Sequence, residues 1–232
     1  MNRKGFTLIE MVVVLAVIAV LAAILVPEIA KNIKDSKITR AVNETQVITA
    51  AIMSLHKDTG KWPSTNANGP SGNVSRVLTG QVGDPVPTTA QVGARAGAVN
   101  WGTLGTTKQL SDFLFYNNPD DNIGATNQNE AGEDFLTSGE FAWRGPYIDK
   151  EFYVDPWGNQ YVISAIYFPG NPGVSDNHRV ILLSAGADAL WSTAFDNAVT
   201  RLTVPSDDIY GPYENDGSVI HDDIGKVITT NN

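Results

Sequence analysis

Residues 5–31 read GFTLIEMVVVLAVIAVLAAILVPEIAK, and between Phe6 and Val26 only Thr7 and Glu10 interrupt an apolar run of 21 residues. As a helix rising 1.5 Å per residue, that run is about 31 Å long, enough to cross a bilayer core of about 30 Å. Glu10 is the anomaly. A carboxylate inside a bilayer costs roughly 2.5–3.5 kcal/mol even on the lenient insertion scales, so it needs a partner.

The residues before the run, MNRKG, carry Arg3 and Lys4, and that positive flank places the N-terminus in the cytoplasm and everything beyond Val26 on the far side. A secretory signal would have a shorter apolar core followed by a small-residue cleavage site. Here the run is longer and its small residue, Gly5, precedes it. Those features alone permit a plain signal anchor.

The stretch KGFTLIE, residues 4–10, resembles the prepilin peptidase site of type IV pilins and type II secretion pseudopilins. The resemblance implies removal of a leader, residues 1–5, by cleavage between Gly5 and Phe6, with N-methylation of the new Phe6 amine. It also supplies Glu10 with a partner, because in that family the glutamate neutralises the terminal amine of an adjacent subunit in the filament. Residues 6–26 would then be the transmembrane half of a helical spine, and the fold α+β: a long N-terminal helix, transmembrane then amphipathic, packed on a small antiparallel β-sheet.

Pro27 ends the apolar run and is expected to kink or locally melt the helix, which resumes in residues 27–60. There Ile38, Val42, Thr45, Ile48, Ile52 and Leu55 recur at spacings of three and four and mark one apolar stripe facing a sheet. DTGKWP then supplies a glycine and a proline as stop signals. His56 has no His or Cys companion in the sequence and reads as a helix-end residue rather than a ligand.

Residues 61–142 read as a variable insertion. The Gly-, Ser-, Thr-, Asn- and Pro-rich part from Ser64 to Val99 is expected to be loop with one helical turn at most, and KQLSDFLFYNNPDDN to contain a short helix burying Leu110, Phe113 and Leu114. The acidic DDNIGATNQNEAGED lacks the glycine and terminal glutamate spacing of an EF-hand. In residues 143–232, YVISAIYF and RVILLSAG read as two antiparallel strands. Asp155-Pro156 and Gly158-Asn159 form a turn between apolar segments, with Trp157 expected as a core plug.

WRGPYIDK and DPWGNQY resemble elements of the type II secretion major pseudopilins, with Gln160 where the family usually has proline. The family resemblance covers residues 1–62 and 143–188. It implies a calcium site in which Ser184 and Asp188 of LLSAGAD are closed by a later aspartate pair. Asp222-Asp223 and Asp207-Asp208 both match the pattern, and Asp222 and Asp223 are preferred because GKVI after them can form a closing strand. Calcium takes six to eight oxygen ligands, so backbone carbonyls would complete such a set.

The charge is divided: up to Lys61 there are 8 Lys/Arg against 5 Asp/Glu, and beyond it 8 against 20. A distal part with net charge −12 argues against a nucleic-acid partner. The chain has no cysteine, which excludes disulfides and thiolate metal sites. No GxSxG, HExxH or phosphate loop occurs, and His56, His178 and His221 have no evident nucleophile, so an enzyme is not expected. The resemblance implies a structural subunit of an extracytoplasmic filament: a type II secretion pseudopilin or, alternatively, a major or minor type IV pilin. Its implied partners are further copies of itself, prepilin peptidase, the inner membrane and an assembly platform there.

Overall fold

The computed structural model describes residues 6–66, 69–70, 74–90, 97–119, 135–171, 178–193, 195 and 222–231. The chain divides into two compact units, one ending at Thr39 and one starting at Arg40. A single helix, α1 (Leu8–Thr59), contributes to both, and Pro27 lies inside it without interrupting the helical assignment. The expected local melting at Pro27 is therefore not found. The missing proline amide removes one intrahelical hydrogen bond, and the helix runs on through it.

In the first unit every large apolar side chain of α1 from Leu8 to Ile33 is at least half exposed. No protein core covers this face. Among the described residues α1 is the one helix long and apolar enough to cross a membrane.

In the second unit α1 buries Ala41, Thr45, Ile48, Ala51, Ile52, Leu55 and Thr59. At about 100° per residue these lie on one face centred near Ala41, and Val42 falls about 100° away. Val42 is accordingly 38% exposed, which corrects its place in the expected stripe: the small Ala41 occupies the position against the core. The helix ends in a left-handed cap. Gly60 adopts φ +67° and its amide donates to the His56 carbonyl at 2.8 Å, which satisfies a terminal carbonyl as glycine at this position does.

Five strands make the main sheet: β3 (Val74–Leu78), β4 (Thr106–Gln109), β5 (Val162–Ile163), β6 (His178–Ser184) and β7 (Ile224–Asn231), in the order β4-β3-β5-β6-β7. A separate two-stranded ribbon joins β1 (Thr65–Asn66) and β2 (Gly69–Pro70). The pair β3–β4 is parallel and all other pairs are antiparallel, so the sheet is mixed rather than wholly antiparallel. The α+β architecture stands. RVILLS pairs with both neighbours as expected, and GKVI lies in β7, which closes the sheet beside it.

Three expectations are corrected. The segment Val74–Leu78 lies inside what reads as loop, yet it forms β3 and buries all five residues between β4 and β5. Its period-2 signal is masked because both faces are covered and a buried Arg76 stands in the middle. YVISAIYF is a strand only at Val162–Ile163. There Ser164 takes over, its amide donating to the Ile181 carbonyl and its Oγ accepting from the Ile181 amide, and a 3₁₀ turn, Ala165–Tyr167, follows. Trp157 is only half-buried and lies outside the core, where Trp101 and Trp191 are fully buried instead. The short helix α3 (Leu110–Leu114) does bury Leu110, Phe113 and Leu114, and a one-turn helix, α2 (Asn100–Thr103), precedes it.

Candidate functional site

At the N-terminus of α1, Thr7 precedes the first helical residue and Glu10 stands three positions on. The Glu10 Oε2 accepts from both the Thr7 amide and the Thr7 hydroxyl at 2.7 Å, while the Glu10 amide donates to Thr7 Oγ1 at 3.4 Å. This is a capping box: hydroxyl and carboxylate satisfy amides that have no partner at a helix start. Sequence reasoning missed it although T-x-x-E is its written signature. Glu10 therefore has partners within its own chain, and the helix N-terminus favours its negative charge. The leader through Gly5 lies outside the described residues; Phe6 is 83% exposed.

The two motifs of the distal half meet each other. Asp155 of DPWGNQY is buried, and its Oδ1 accepts from the Trp157 amide at 3.0 Å and the Asn159 amide at 2.8 Å, forming the turn. Its Oδ2 accepts from the Ser184 hydroxyl at 2.6 Å, at the end of β6. Burial pushes the Asp155 carboxyl above the usual range, and these hydrogen bonds oppose that shift. The Ser184 oxygen also accepts from the Gly186 amide at 3.1 Å. Ser184 is thus engaged with Asp155 and Gly186.

Just beyond, Asp222 and Asp223 precede β7 and grip the turn that follows β6. Asp222 Oδ2 accepts from the Ala187 amide at 2.8 Å and the Asp188 amide at 3.1 Å. Asp223 Oδ2 accepts from the Ser192 amide at 3.0 Å and the Thr193 amide at 2.7 Å. The other oxygen of each, Oδ1, is buried with no hydrogen-bond partner among the described residues. Burial pushes both carboxyls up to about 6, and the charge of Asp188 adds to the shift of Asp222. Asp188 Oδ1 accepts from the Leu190 amide at 2.8 Å. Gly186, at φ +69°, leaves no room for a Cβ against the Asp222 backbone, which fixes how closely the two segments approach. Asp207 and Asp208 lie outside the described residues, as do His221 and the acidic stretch 120–134.

Of the expected metal-site residues, Asp188, Asp222 and Asp223 come together and Ser184 turns to Asp155. Among the described residues no group of three His, Cys, Asp or Glu side chains stands ready to hold a metal ion. The pair offers one buried, unpartnered carboxylate oxygen from each of Asp222 and Asp223, a hard-oxygen donor set.

Other groups tie the second unit together. Glu44 on α1 receives Tyr161 Oη at 2.7 Å and pairs with Arg40 at 2.9 Å, joining helix to sheet. His56 stacks on Trp62 at 3.7 Å between ring centroids, at the helix end as read. Gln160, where the family usually has proline, reaches the insertion: its Oε1 accepts from the Gly80 amide at 3.0 Å and its Nε2 donates to the carbonyls of Gln81 at 3.2 Å and Asp84 at 2.9 Å. The buried Arg76 donates to the carbonyls of Leu104 and Trp101 and to Thr107 Oγ1, and burial lowers its pKa.

Comparison with known proteins gives the same assignment. The family model for the prokaryotic N-terminal methylation motif matches residues 1–26, and that for protein G of the type II secretion system matches residues 118–200. The type IV major fimbrial protein FimA of Dichelobacter nodosus is 38% identical over 80 residues, 32% of this chain and 50% of the relative. The type II secretion system core protein G of Pseudomonas aeruginosa is 36% identical over 64 residues, 28% of this chain and 45% of the relative. The fimbrial protein EcpC of Eikenella corrodens is 38% identical over 65 residues, 28% of this chain and 42% of the relative. The chain spans about half the length of these relatives or less. No solved structure matches.

Over these segments the chain is similar to type IV pilins and type II secretion pseudopilins. Residues 1–26 carry the prepilin-type N-terminal methylation motif.

Proposed function

We propose that the chain is a pseudopilin of a type II protein secretion system, processed by prepilin peptidase and assembled through α1 into an extracytoplasmic filament that acts in protein export. The observation that carries this reading is the protein G match over residues 118–200, the region that holds DPWGNQY and the Ser184–Asp188 turn. Replacing the gene of a major pseudopilin with this one and assaying secretion tests it. Restored secretion supports the pseudopilin; surface pili without secretion overturn it in favour of a type IV pilus subunit, the alternative supported by the similarity to the fimbrial proteins.

In this reading cleavage falls between Gly5 and Phe6, Phe6 is N-methylated, and Glu10 exchanges its Thr7 partners for the Phe6 amine of an adjacent subunit. Mass spectrometry of the mature N-terminus tests the processing. A chain starting at N-methylated Phe6 is expected, and an intact Met1 refutes it. We place the N-terminus in the cytoplasm of a single-pass inner-membrane subunit on the strength of the processing motif. This replaces the expectation from the positive flank, because Arg3 and Lys4 precede the span but Lys31, Lys34, Lys37 and Arg40 follow it, and flanking charge alone does not favour that orientation.

We further infer calcium at Asp222 and Asp223, beside Asp188, with backbone carbonyls completing the ligand set. The support is the two buried carboxylate oxygens without partners, since a buried charge is retained only when paired or metal-bound. Ser184 positions Asp155 rather than contributing a ligand. Thermal melting of the chain with calcium and with chelator tests it, and identical midpoints overturn the metal.

A further inference from the structure

Three residues after the Asp222–Asp223 grip, Trp191, Ser192 and Thr193, face two ways. On one side the amides of Ser192 and Thr193 are held by Asp223 Oδ2. On the other side the same three residues carry the insertion. The Trp191 amide donates to the Thr89 carbonyl at 3.1 Å, its indole N–H donates to the Pro87 carbonyl at 2.6 Å, and Ala90 forms a parallel bridge with it. Trp101, in α2, donates its indole N–H to the Thr193 carbonyl at 3.0 Å and packs on Trp191 with ring centroids 5.8 Å apart. Gly102 has no room for a Cβ because the Pro87 carbonyl and Thr88 press on it, so 86–90 and 97–104 are in direct backbone contact. Trp101 and Trp191 are fully buried.

We propose that Trp191–Thr193 is a mechanical link through which a divalent cation at Asp222 and Asp223 controls the order of the insertion segments 86–90 and 97–104. The proposal rests on the calcium reading above and adds its consequence. Without a cation, two adjacent buried carboxylates repel each other, and the turn they hold opens more readily. A cation removes that repulsion, fixes the Asp223 carboxylate and with it the Ser192 and Thr193 amides, and so clamps the strip on which the insertion hangs. The insertion interrupts the family resemblance in this chain, and through the link its surface becomes responsive to the ion.

Hydrogen exchange of the full chain in detergent, with calcium chloride as the probe, tests the link. An amide that exchanges only when the site opens slows by one plus the ratio of free ion to Kd, roughly a hundredfold at 100 times Kd. The expected result is comparable slowing at 187–193 and at 86–90 and 97–104, and loss of the slowing at 86–104 alone in Trp191→Phe, which keeps both carboxylates. Slowing confined to 187–193 and 222–224 in the wild type leaves the calcium reading intact and overturns the link; so does equal slowing of 86–104 in Trp191→Phe. If calcium protects nothing, the calcium reading fails first, and Asp223→Ala without added ion then decides the link. Faster exchange at 86–90 and 97–104 than in the wild type upholds it, and unchanged exchange there overturns it.

Discussion

Ser184→Ala is the sharpest perturbation available in the distal half. It removes the hydroxyl that donates at 2.6 Å to Asp155 Oδ2 and leaves the two Oδ1 bonds of the turn in place. Asp155 is 2% exposed, so water cannot replace the lost donor. A hydrogen bond to a charged group contributes about 1.5–3 kcal/mol, and removing one oxygen atom leaves almost no cavity, so the whole cost is electrostatic. For a chain of this size each kcal/mol moves the melting midpoint by about 2–4 °C, which gives a fall of about 3–12 °C at pH 7. The charge dependence supplies a second handle. The Asp155 carboxyl is raised by burial, so its folded pKa lies above the unfolded value, and the protonated form contributes stability that is lost as pH rises through the folded pKa. Ser184→Ala raises that pKa further, so its deficit should be larger at pH 7 than at pH 4. In an Asp155→Asn background the same substitution should cost under about 1 kcal/mol, since the acceptor is then neutral. Circular-dichroism melts of the four variants in detergent at both pH values suffice. An unchanged midpoint at pH 7, or a deficit as large in the Asn background, refutes the coupling of the two motifs.

Thr7→Val should remove the hydroxyl from both Glu10 Oε2 and the Glu10 amide, while the backbone amide of residue 7 can still donate to Glu10. At a capping position the cost is about 0.5–2 kcal/mol of helix stability, read as lower helicity by circular dichroism in detergent, and Glu10→Ala should insert and be cleaved normally yet fail to form filaments. Gln160→Pro, which restores the residue usual in the family, removes three side-chain hydrogen bonds to residues 80–84 and the backbone amide bond to Pro85. Limited proteolysis should cut near Gly83 at least tenfold faster, and an unchanged rate would show that the loop is held by other contacts. For Asp223 the folded pKa of about 6 exceeds the unfolded value of 3.8. Its protonation therefore contributes stability that is fully present below about pH 4 and lost as pH rises through 6, roughly 3 kcal/mol in all. The difference in stability between wild type and Asp223→Asn should shift by that amount across the window, and a pH-independent difference would contradict it.

Much of this protein is legible in the one-dimensional record because the physics that shapes it is local. The long apolar helix is read from length and apolarity alone, the helix end from a glycine and a proline, and β6 from a β-branched run; the capping box at Thr7 and Glu10, three residues apart, was open to the same reading. Each depends on residues within one or two turns of each other, so spacing carries the information. Strand β3 was not legible, because it is covered on both faces and its Arg76 is satisfied by carbonyls of Trp101 and Leu104, more than twenty residues away. The same holds for Val42, whose exposure depends on where the sheet meets the helix, and for Trp157, displaced from the core by Trp101 and Trp191.

The sequence by itself determined the long apolar helix, the prepilin-type motif and the resemblance to pilins and pseudopilins, since helix propensity, apolar length and a short recognition pattern need no distant partner. Only the tertiary structure decided what the polar residues of the distal half do. Ser184 pairs with Asp155, Gln160 holds the insertion, and Asp222 and Asp223 grip the turn after β6 with one oxygen each and bury the other. A buried hydrogen-bonding group takes whichever partner the fold brings within about 3 Å, and chain spacing across 29 to 80 residues does not specify that choice.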